Sequence, residues 1–365
     1  MNSDNKKQKY CIILGTRPEI IKMSPLIRAC EDKQYDYFIL HTGQHYSYEM
    51  DRTFFEQLEL PEPKYNLDVG SGTQAVQTAK ILTGIEEILL KEKPDVVFVQ
   101  GDTNTVMAGA LAASKLHIKI GHVEAGLRSF DRNMPEEINR IIADHISDYL
   151  FPPTELSRDQ LLSEGIAEEK IFITGNTVVD AAYQNLELSK KHLNVLDDFG
   201  LRPKAYFLVT SHRAENVDVK ERLSGILEAV RQLSQKYQIP ALFPMHPRTE
   251  KMANEFGLSL EGITVTKPLG YLEFLQLEEN ARLILTDSGG LQEEGCILGT
   301  PCVTLRDNTE RPETVTVGAN VLAGTDAETI ISCAEKMMNN TASWKNPFGD
   351  GDAAVKILEF VEGKQ

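Results

Sequence analysis

ARLILTDSGGLQEEG, residues 281–295, is the stretch that decides the fold of this 365-residue chain. An apolar run over residues 281–286 leads into Asp287-Ser288-Gly289-Gly290 and then into helix-favouring residues, which predicts a strand, a glycine turn and the start of a helix. Helix starts bind phosphate because their first N–H groups lack partners and the helix dipole is positive there. Arg311, in RDNTERPE (residues 306–313), adds a planar cation suited to phosphate. The predicted phosphate site therefore lies in the C-terminal half, unlike the first-strand loop where a dehydrogenase binds its nucleotide.

Short apolar runs alternate with helix-like stretches along the chain, in two consecutive series. The predicted strands are residues 10–14, 37–40, 96–100, 118–122, 149–151 and 170–174, followed by 206–210, 241–244, 263–266, 282–286 and 301–305. Strands that are apolar on both faces are typical of parallel sheets with helices on each side. We therefore predict an α/β chain of two doubly wound, Rossmann-like domains, residues 1–180 and 181–349, with residues 350–365 packing back on the first. Residues 194–204, rich in Asp, Gly and Pro, are the candidate linker, and a boundary nearer Gly175 is the alternative.

Composition and charge argue against several function classes. A formal net charge of −16 argues against nucleic acid or an anionic membrane as the main partner. Five cysteines without CxxC spacing indicate reduced thiols, a cytoplasmic protein and no metal site. Residues 1–9 are polar and no apolar run approaches transmembrane length, so we expect a short disordered tail, no signal peptide and no membrane contact.

Polar motifs follow the predicted strands, at the edge where doubly wound sheets bind ligands. Arg17 and Lys22 open the first helix in GTRPEIIK. Cations are unfavourable at a helix N-terminus unless an anion joins them, although a glycine turn with two solvated cations would give the same pattern. The motif is not GxGxxG, which argues against a dinucleotide site.

Three carboxylates are candidates for acid–base chemistry: Asp102, Glu124 and Glu136. Glu124 lies in a turn that contains glycine, directly after a buried-looking strand. The alternative for Asp102 is a simple turn residue, and the alternative for Glu136 is a residue that favours the helix dipole after Pro135. Carboxylates that share one cleft push their pKa values apart, as acid–base chemistry needs.

Two histidines follow strands of the second series, His212 in SHR and His246 in MHPR. A histidine at a strand end suits phosphate binding or proton transfer, whereas a lone histidine is more often structural. Two facing domains would bring all these strand-end motifs into one central cleft, which is the GT-B architecture.

Together the motifs resemble the non-hydrolysing UDP-N-acetylglucosamine 2-epimerases, in the family's order from about Tyr10 to the C-terminus. The motifs that carry the resemblance are GTRPEIIKMSPLI (15–27), TGQH (42–45), GDTNT (101–105), GHVEAGLRS (121–129), PEEINR (135–140), GNTVVDA (175–181), TSHRAEN (210–216), MHPR (245–248), TDSGGLQEEG (286–295) and TERPE (309–313). The resemblance implies a GT-B fold, a homodimer and no cofactor. It also implies interconversion of UDP-GlcNAc and UDP-ManNAc, by anti elimination of UDP to 2-acetamidoglucal and readdition.

The resemblance also implies roles for particular residues. Acid–base chemistry falls to Asp102, Glu124, Glu136 and His212. Contacts with UDP or with the sugar fall to a larger set: Arg17, Lys22, His212, Arg213, Leu269, Phe274, Ser288, Gly289, Gly290, Glu294 and Arg311. An allosteric site for a second UDP-GlcNAc falls to Gln44, His45 and His246.

Two departures from the family pattern concern regulation. Leu269-Gly270 precede Tyr271 where the family has glutamine, and the loop after His45 continues as Tyr46-Ser47-Tyr48, so we expect altered allosteric activation. The alternative functions are an epimerase on a related UDP-diacetamido sugar, a GT-B glycosyltransferase and a non-catalytic nucleotide-sugar sensor. A transferase has little use for three carboxylates, and a sensor would have lost them.

Overall fold

A six-stranded parallel sheet forms the centre of each of two units. The computed structural model describes residues 8–44, 48–339 and 343–363. The first unit contains the described residues up to Ala181 and from Phe348 onward, and the second is Ala182–Pro347. The N-terminal tail up to Lys7 and the residues His45, Tyr46 and Ser47 lie outside the described residues.

The first unit alternates strands and helices almost throughout. Its elements are β1 (Lys9–Leu14), α1 (Arg17–Asp32), β2 (Asp36–His41), α2 (Tyr48–Gln57), β3 (Tyr65–Asn66), α3 (Gln74–Glu92), β4 (Val96–Gln100), α4 (Asn104–Lys115), β5 (Lys119–Val123), α5 (Pro135–Ile146), β6 (Tyr149–Phe151), α6 (Glu155–Ser163) and the start of α7 (Thr177–His192). The C-terminal helix, Ala353–Gly363, also belongs to this unit. The strand order is β3-β2-β1-β4-β5-β6, and every pairing is parallel.

The second unit repeats this plan after α7. Its elements are α8 (Val195–Asp198), β7 (Phe207–Thr210), α9 (Ala214–Val217), α10 (Lys220–Tyr237), β8 (Ala241–Pro244), α11 (Pro247–Glu255), β9 (Thr264–Thr266), α12 (Tyr271–Asn280), β10 (Leu283–Thr286), α13 (Gly289–Leu298), β11 (Cys302–Thr304), α14 (Pro312–Thr316), β12 (Asn320–Leu322) and α15 (Ala327–Asn339). The strand order is β12-β11-β10-β7-β8-β9, again parallel throughout.

The central strands are buried on both faces, as their composition requires. Every residue of β4 is buried, and a helix packs directly on it: a Cβ added at Gly109 of α4 would lie 3.3 Å from Val99 and 3.1 Å from Ile13. Glycine at this position therefore lets α4 approach the sheet closely. No helix of the described residues is long and apolar enough to cross a membrane.

The α/β class and the two doubly wound, Rossmann-like sheets expected of the GT-B fold class are confirmed. One predicted strand, residues 170–174, is wrong. A 3₁₀ turn at Glu168–Lys170 and the left-handed Gly175 leave only a single bridge between Ile171 and Leu150. The short edge strands β3 and β12 were not predicted, because each contains an asparagine and neither is a continuous apolar run.

The candidate linker, residues 194–204, is not a linker. It contains α8, and Val195 is buried in the core of the second unit together with Tyr206 and Leu277. The division between the units falls within α7, between Ala181 and Ala182.

Candidate active site

The candidate residues of the first unit lie at the carboxyl ends of three adjacent strands. Arg17 and Lys22 follow β1, Asp102 follows β4 and Glu124 follows β5. Because β1, β4 and β5 are neighbours in the parallel sheet, their loops leave from the same edge. The topology therefore collects these residues in one region of the first unit.

Glu124 is held in an unusual backbone conformation. Its φ is +65°, in the left-handed region that costs energy for a residue with a Cβ, and its side chain is only 3% exposed. The carboxylate accepts two hydrogen bonds from Lys22 Nζ, at 2.8 and 2.6 Å, and one from the amide of Gln100. A strained backbone and a buried ion pair together mark Glu124 as a functional candidate. Gln100, the last residue of β4, was not predicted.

Asp102 belongs to a second polar group, which does not include Glu136. Arg140 of α5 donates to the Asp102 carboxylate and, at 3.0 Å, to Glu137. Burial acts to raise the pKa of Glu137, but hydrogen bonds from the Ser129 amide and Arg140 lower it overall. Glu136 is half-buried in the first turn of α5 and makes no hydrogen bond or ion pair with the described residues. Its carboxylate therefore contacts no partner within that part of the chain.

A buried histidine supports the loop that carries Asp102. His122 Nδ1 lies 2.7 Å from the Asp144 carboxylate, and Nε2 lies 2.8 Å from the carbonyl oxygen of Gly101. Burial acts to lower the pKa of His122, but Asp144 raises it overall. Since both ring nitrogens face acceptors, the imidazolium form satisfies both contacts. His122 was not predicted, because nothing in the sequence shows that Asp144 lies beside it.

Arg17 and Gln44 are both engaged with buried groups of the first unit. Arg17 Nε lies 3.7 Å from the buried Asp51 carboxylate. The side-chain oxygen of Gln44 accepts from the Thr105 amide at 3.2 Å and from its hydroxyl at 2.8 Å. Gln44 therefore fixes the start of α4, and its allosteric role stays a prediction.

In the second unit a buried aspartate organises His212. Asp287 is fully buried. Its carboxylate accepts hydrogen bonds from the Ser211 hydroxyl at 2.9 Å, the backbone N–H of Arg213 at 3.0 Å and the side-chain amide of Asn216 at 3.1 Å. His212 Nδ1 lies 3.1 Å from Asp287 Oδ1, while the side chain is 49% exposed. Burial acts to raise the pKa of Asp287, but His212 and the backbone amides lower it overall. The ionised Asp287 thus orients the ring with Nε2 away from it. Asp287 was not predicted, although it precedes Ser288 directly after a buried strand.

The N-terminus of α13 is flanked by charged side chains. Ser288 is its N-cap residue, and Gly289 and Gly290 form the first turn. Glu310 Oε2 lies 3.7 Å from the position that a Cβ on Gly289 would take, and Glu310 Oε1 lies 3.7 Å from Arg213 Nη1. A carboxylate therefore lies near the place where the predicted phosphate would bind.

Arg311 and Glu294 each interact with buried side chains, Arg311 with Glu293 and Glu294 with Glu278 and Tyr271. Arg311 Nε lies 3.1 Å from the buried Glu293 carboxylate. Burial raises the pKa of Glu278 well above its usual range, and the negative charge of Glu294 contributes to the same increase. Tyr271 also contacts Glu294, and its pKa is raised well above its usual range by burial, Glu294 and Glu278. Burial and the neighbouring Glu294 carboxylate thus favour the protonated form of Glu278.

The remaining predicted residues are Leu269, Phe274 and His246. Leu269 and Phe274 are half-buried and pack against the smaller apolar core of the second unit. His246 is the N-cap residue of α11, and its Nδ1 accepts from the Arg248 amide at 3.2 Å. Among the described residues there is no group of three or more His, Cys, Asp or Glu that could hold a metal ion.

Comparisons with known proteins agree on one family. The family model for UDP-N-acetylglucosamine 2-epimerase matches residues 28–362. The UDP-N-acetylglucosamine 2-epimerase of Methanocaldococcus jannaschii is 59% identical over 97% of this chain and 98% of its own length. A crystal structure of that organism's UDP-GlcNAc 2-epimerase in complex with UDP-GlcNAc and UDP matches with a TM-score of 0.84 and 59% identity, covering 97% of this chain and 99% of the other. A Pseudomonas aeruginosa UDP-2,3-diacetamido-2,3-dideoxy-D-glucuronate 2-epimerase is 43% identical over 97% of this chain and 99% of its own length.

Proposed function

The chain belongs to the UDP-N-acetylglucosamine 2-epimerase family, and we propose that it interconverts UDP-GlcNAc and UDP-ManNAc by inverting C-2 of the sugar. The observation that carries this proposal, beside the family, is the buried Glu124 carboxylate held by Lys22 and Gln100. A strained, ion-paired carboxylate at a strand end supports proton transfer better than simple ligand binding.

The chemistry of C-2 explains why the reaction needs a leaving group. The C-2 hydrogen is not adjacent to a carbonyl group, so its removal alone would give an unstabilised carbanion. If the C-1–O bond breaks as a carboxylate takes the proton, the C–H electron pair forms the C-1–C-2 double bond of 2-acetamidoglucal. The electron pair of the C–O bond leaves with the β-phosphate oxygen of UDP. Proton delivery to the opposite face of C-2 and readdition of UDP at C-1 then complete the inversion.

The first unit supplies carboxylates for both proton transfers. We assign Glu124, Asp102 and Glu136 to these steps. Glu124 and Asp102 each lie beside a cation, Lys22 and Arg140 respectively, whereas Glu136 has no partner among the described residues.

The second unit supplies the groups that stabilise the departing diphosphate. We assign the N-terminus of α13 to a phosphate, because its amides and dipole favour an anion. His212, oriented by Asp287, presents Nε2 to the same ligand, and Arg213 and Arg311 add cationic charge. Glu310 would have to move when the phosphate binds, since it lies beside Gly289.

One other substrate has support from the comparisons. The 43% identical relative is named for a UDP-diacetamido uronate, so a substrate of that class is the second candidate. The 59% identical relative is named for UDP-GlcNAc, which we therefore place first. A homodimer and a cytoplasmic location stay predictions, and sedimentation equilibrium tests the first of them.

The decisive experiment is incubation with UDP-GlcNAc in D₂O, followed by NMR. We expect UDP-ManNAc with deuterium at C-2, together with traces of UDP and glucal, and no exchange with the Glu124→Gln variant. Full retention of protium at C-2 after equilibration would exclude the elimination route. Turnover of the diacetamido uronate alone, in a parallel sample, would reassign the substrate.

A further inference from the structure

One buried carboxylate of the first unit has no part in the reaction proposed above. Glu19 lies in the first turn of α1 and is 2% exposed. Its Oε2 accepts hydrogen bonds from the Gly15 amide at 2.9 Å and the Thr16 hydroxyl at 2.8 Å, and its Oε1 accepts one from the Thr103 hydroxyl at 2.8 Å. No cation of the described residues forms an ion pair with it. Glu19 is therefore a buried carboxylate stabilised by three neutral donors.

Such a group is costly to keep. An ionised carboxylate transferred from water to a protein interior is unfavourable unless it is paired with a cation. Burial raises the pKa of Glu19 to about 7, even though the three hydrogen bonds lower it. Glutamine has nearly the same shape and can make hydrogen bonds to the same groups without the charge, so the contacts of this side chain, rather than its charge, define its role.

The three donors belong to two different loops. Gly15 and Thr16 lie directly before Arg17, in the loop after β1, whereas Thr103 lies directly after Asp102, in the loop after β4. The Thr103 hydroxyl also accepts from the Val106 amide at 3.4 Å and so caps α4. The Glu19 carboxylate thus joins the loop of one candidate site residue to the loop of another.

We propose that Glu19 is a positioning residue for the epimerase reaction, which joins these two loops and thereby sets where the Asp102 carboxylate lies. The proposal rests on the proposed function. Asp102 is the charged group that acts electrostatically on Glu19, and it lies next to Thr103 in the chain. A displacement of about 1 Å in a reacting group can lower a rate on the order of 10²-fold, so a small movement of this loop would be measurable.

Five single substitutions separate the link between the loops from other effects. Glu19→Ala and Thr103→Val each remove the bond between the loops, and we expect each to lower kcat about 10²-fold while KM and the Kd for UDP stay within about twofold. Thr103→Ser keeps the hydroxyl and should retain most of the activity. Thr16→Val is the matched control, because it removes one bond to the same carboxylate but leaves the link between the loops intact. Glu19→Gln should also retain most of kcat, since the Thr103 hydroxyl can accept from its amide.

A double-mutant cycle shows whether Glu19 acts through Asp102. The kcat of the double variant Glu19→Ala/Asp102→Asn should be no lower than the kcat of Asp102→Asn alone. Moving a side chain that can no longer transfer a proton does not lower the rate further. Near-wild-type kcat in both Glu19→Ala and Thr103→Val would overturn the proposal, as would full multiplicative losses in the double variant. If Glu19→Ala does not fold, the comparison of Thr103→Val with Thr103→Ser tests the same link. An inactive wild-type protein would refute the proposed function instead, so the two failures are distinguishable.

Discussion

Removing the Lys22 ammonium group should destabilise the first unit, and removing the Glu124 charge as well should restore most of the lost stability. Lys22 Nζ lies 2.6 Å from the Glu124 carboxylate, whose side chain is 3% exposed. Lys22→Met keeps the length and the apolar stem of the side chain, but it leaves the buried carboxylate without this cation.

The magnitude follows from the burial of the two partners. Removing one partner of a buried ion pair costs about 3–5 kcal/mol. Because the Lys22 side chain is 18% exposed, water can reach the site, and we expect about 3 kcal/mol, the lower end of that range. Lys22→Met combined with Glu124→Gln leaves no unpaired charge, so its stability should lie within about 1 kcal/mol of the wild-type value.

The assay is urea unfolding followed by circular dichroism, with Lys33→Met as the control. Lys33 also pairs with a carboxylate in the first unit, Glu359 at 3.3 Å, but its side chain is 36% exposed. That exposed pair should contribute at most about 1 kcal/mol. Equal losses in Lys22→Met and Lys33→Met, or a double variant no more stable than Lys22→Met, would refute the reasoning.

Three further predictions concern titration, tautomer and ligand binding. Glu19 has a pKa raised from 4.5 to about 7, so its contribution to stability is full below pH 4.5 and is lost as the pH rises through 7. Relative to wild type, the free energy of unfolding of Glu19→Gln should therefore increase by about 3 kcal/mol between pH 4.5 and 8. A difference in urea unfolding that does not change with pH would contradict this. Asp287→Asn should leave the His212 ring without its anionic partner. We expect kcat to fall by about 10²-fold or more and UDP binding to weaken, because His212 is assigned to the diphosphate; an unchanged kcat and an unchanged Kd for UDP would show that the pair has no role in the reaction. Arg311→Ala should weaken UDP binding in calorimetry by about 1.5–3 kcal/mol, whereas unchanged affinity would mean that Arg311 serves only to neutralise Glu293.

The sequence predicts the features that depend on local pattern. Apolar runs locate all the longer strands, and glycine turns after them locate Glu124, Asp102 and the start of α13. Parallel sheets place those turns at one edge, so the candidate site of each unit follows from topology. The edge strand β12, Asn320-Val321-Leu322, begins with a polar residue and carries no comparable signal.

The sequence does not predict which side chains support the candidates. Gln100 contacts Glu124 from 24 positions away in the chain, Arg140 contacts Asp102 from 38 and Asp287 contacts His212 from 75. Such pairs form only when crossovers bring distant loops together, and no periodicity encodes them.

The left-handed backbone at Glu124 has a consequence for evolution. A residue with a Cβ in that conformation is less stable by roughly 1–2 kcal/mol than glycine would be, and asparagine also tolerates it better. Selection can hold glutamate there only while the carboxylate is of use. In homologues that keep the fold but lose the epimerase activity, we therefore expect glycine or asparagine at this position. The left-handed backbone conformation would not destabilise the fold after that replacement. The residue at position 124 would then distinguish homologues that keep the epimerase activity from homologues that have lost it, without an activity assay.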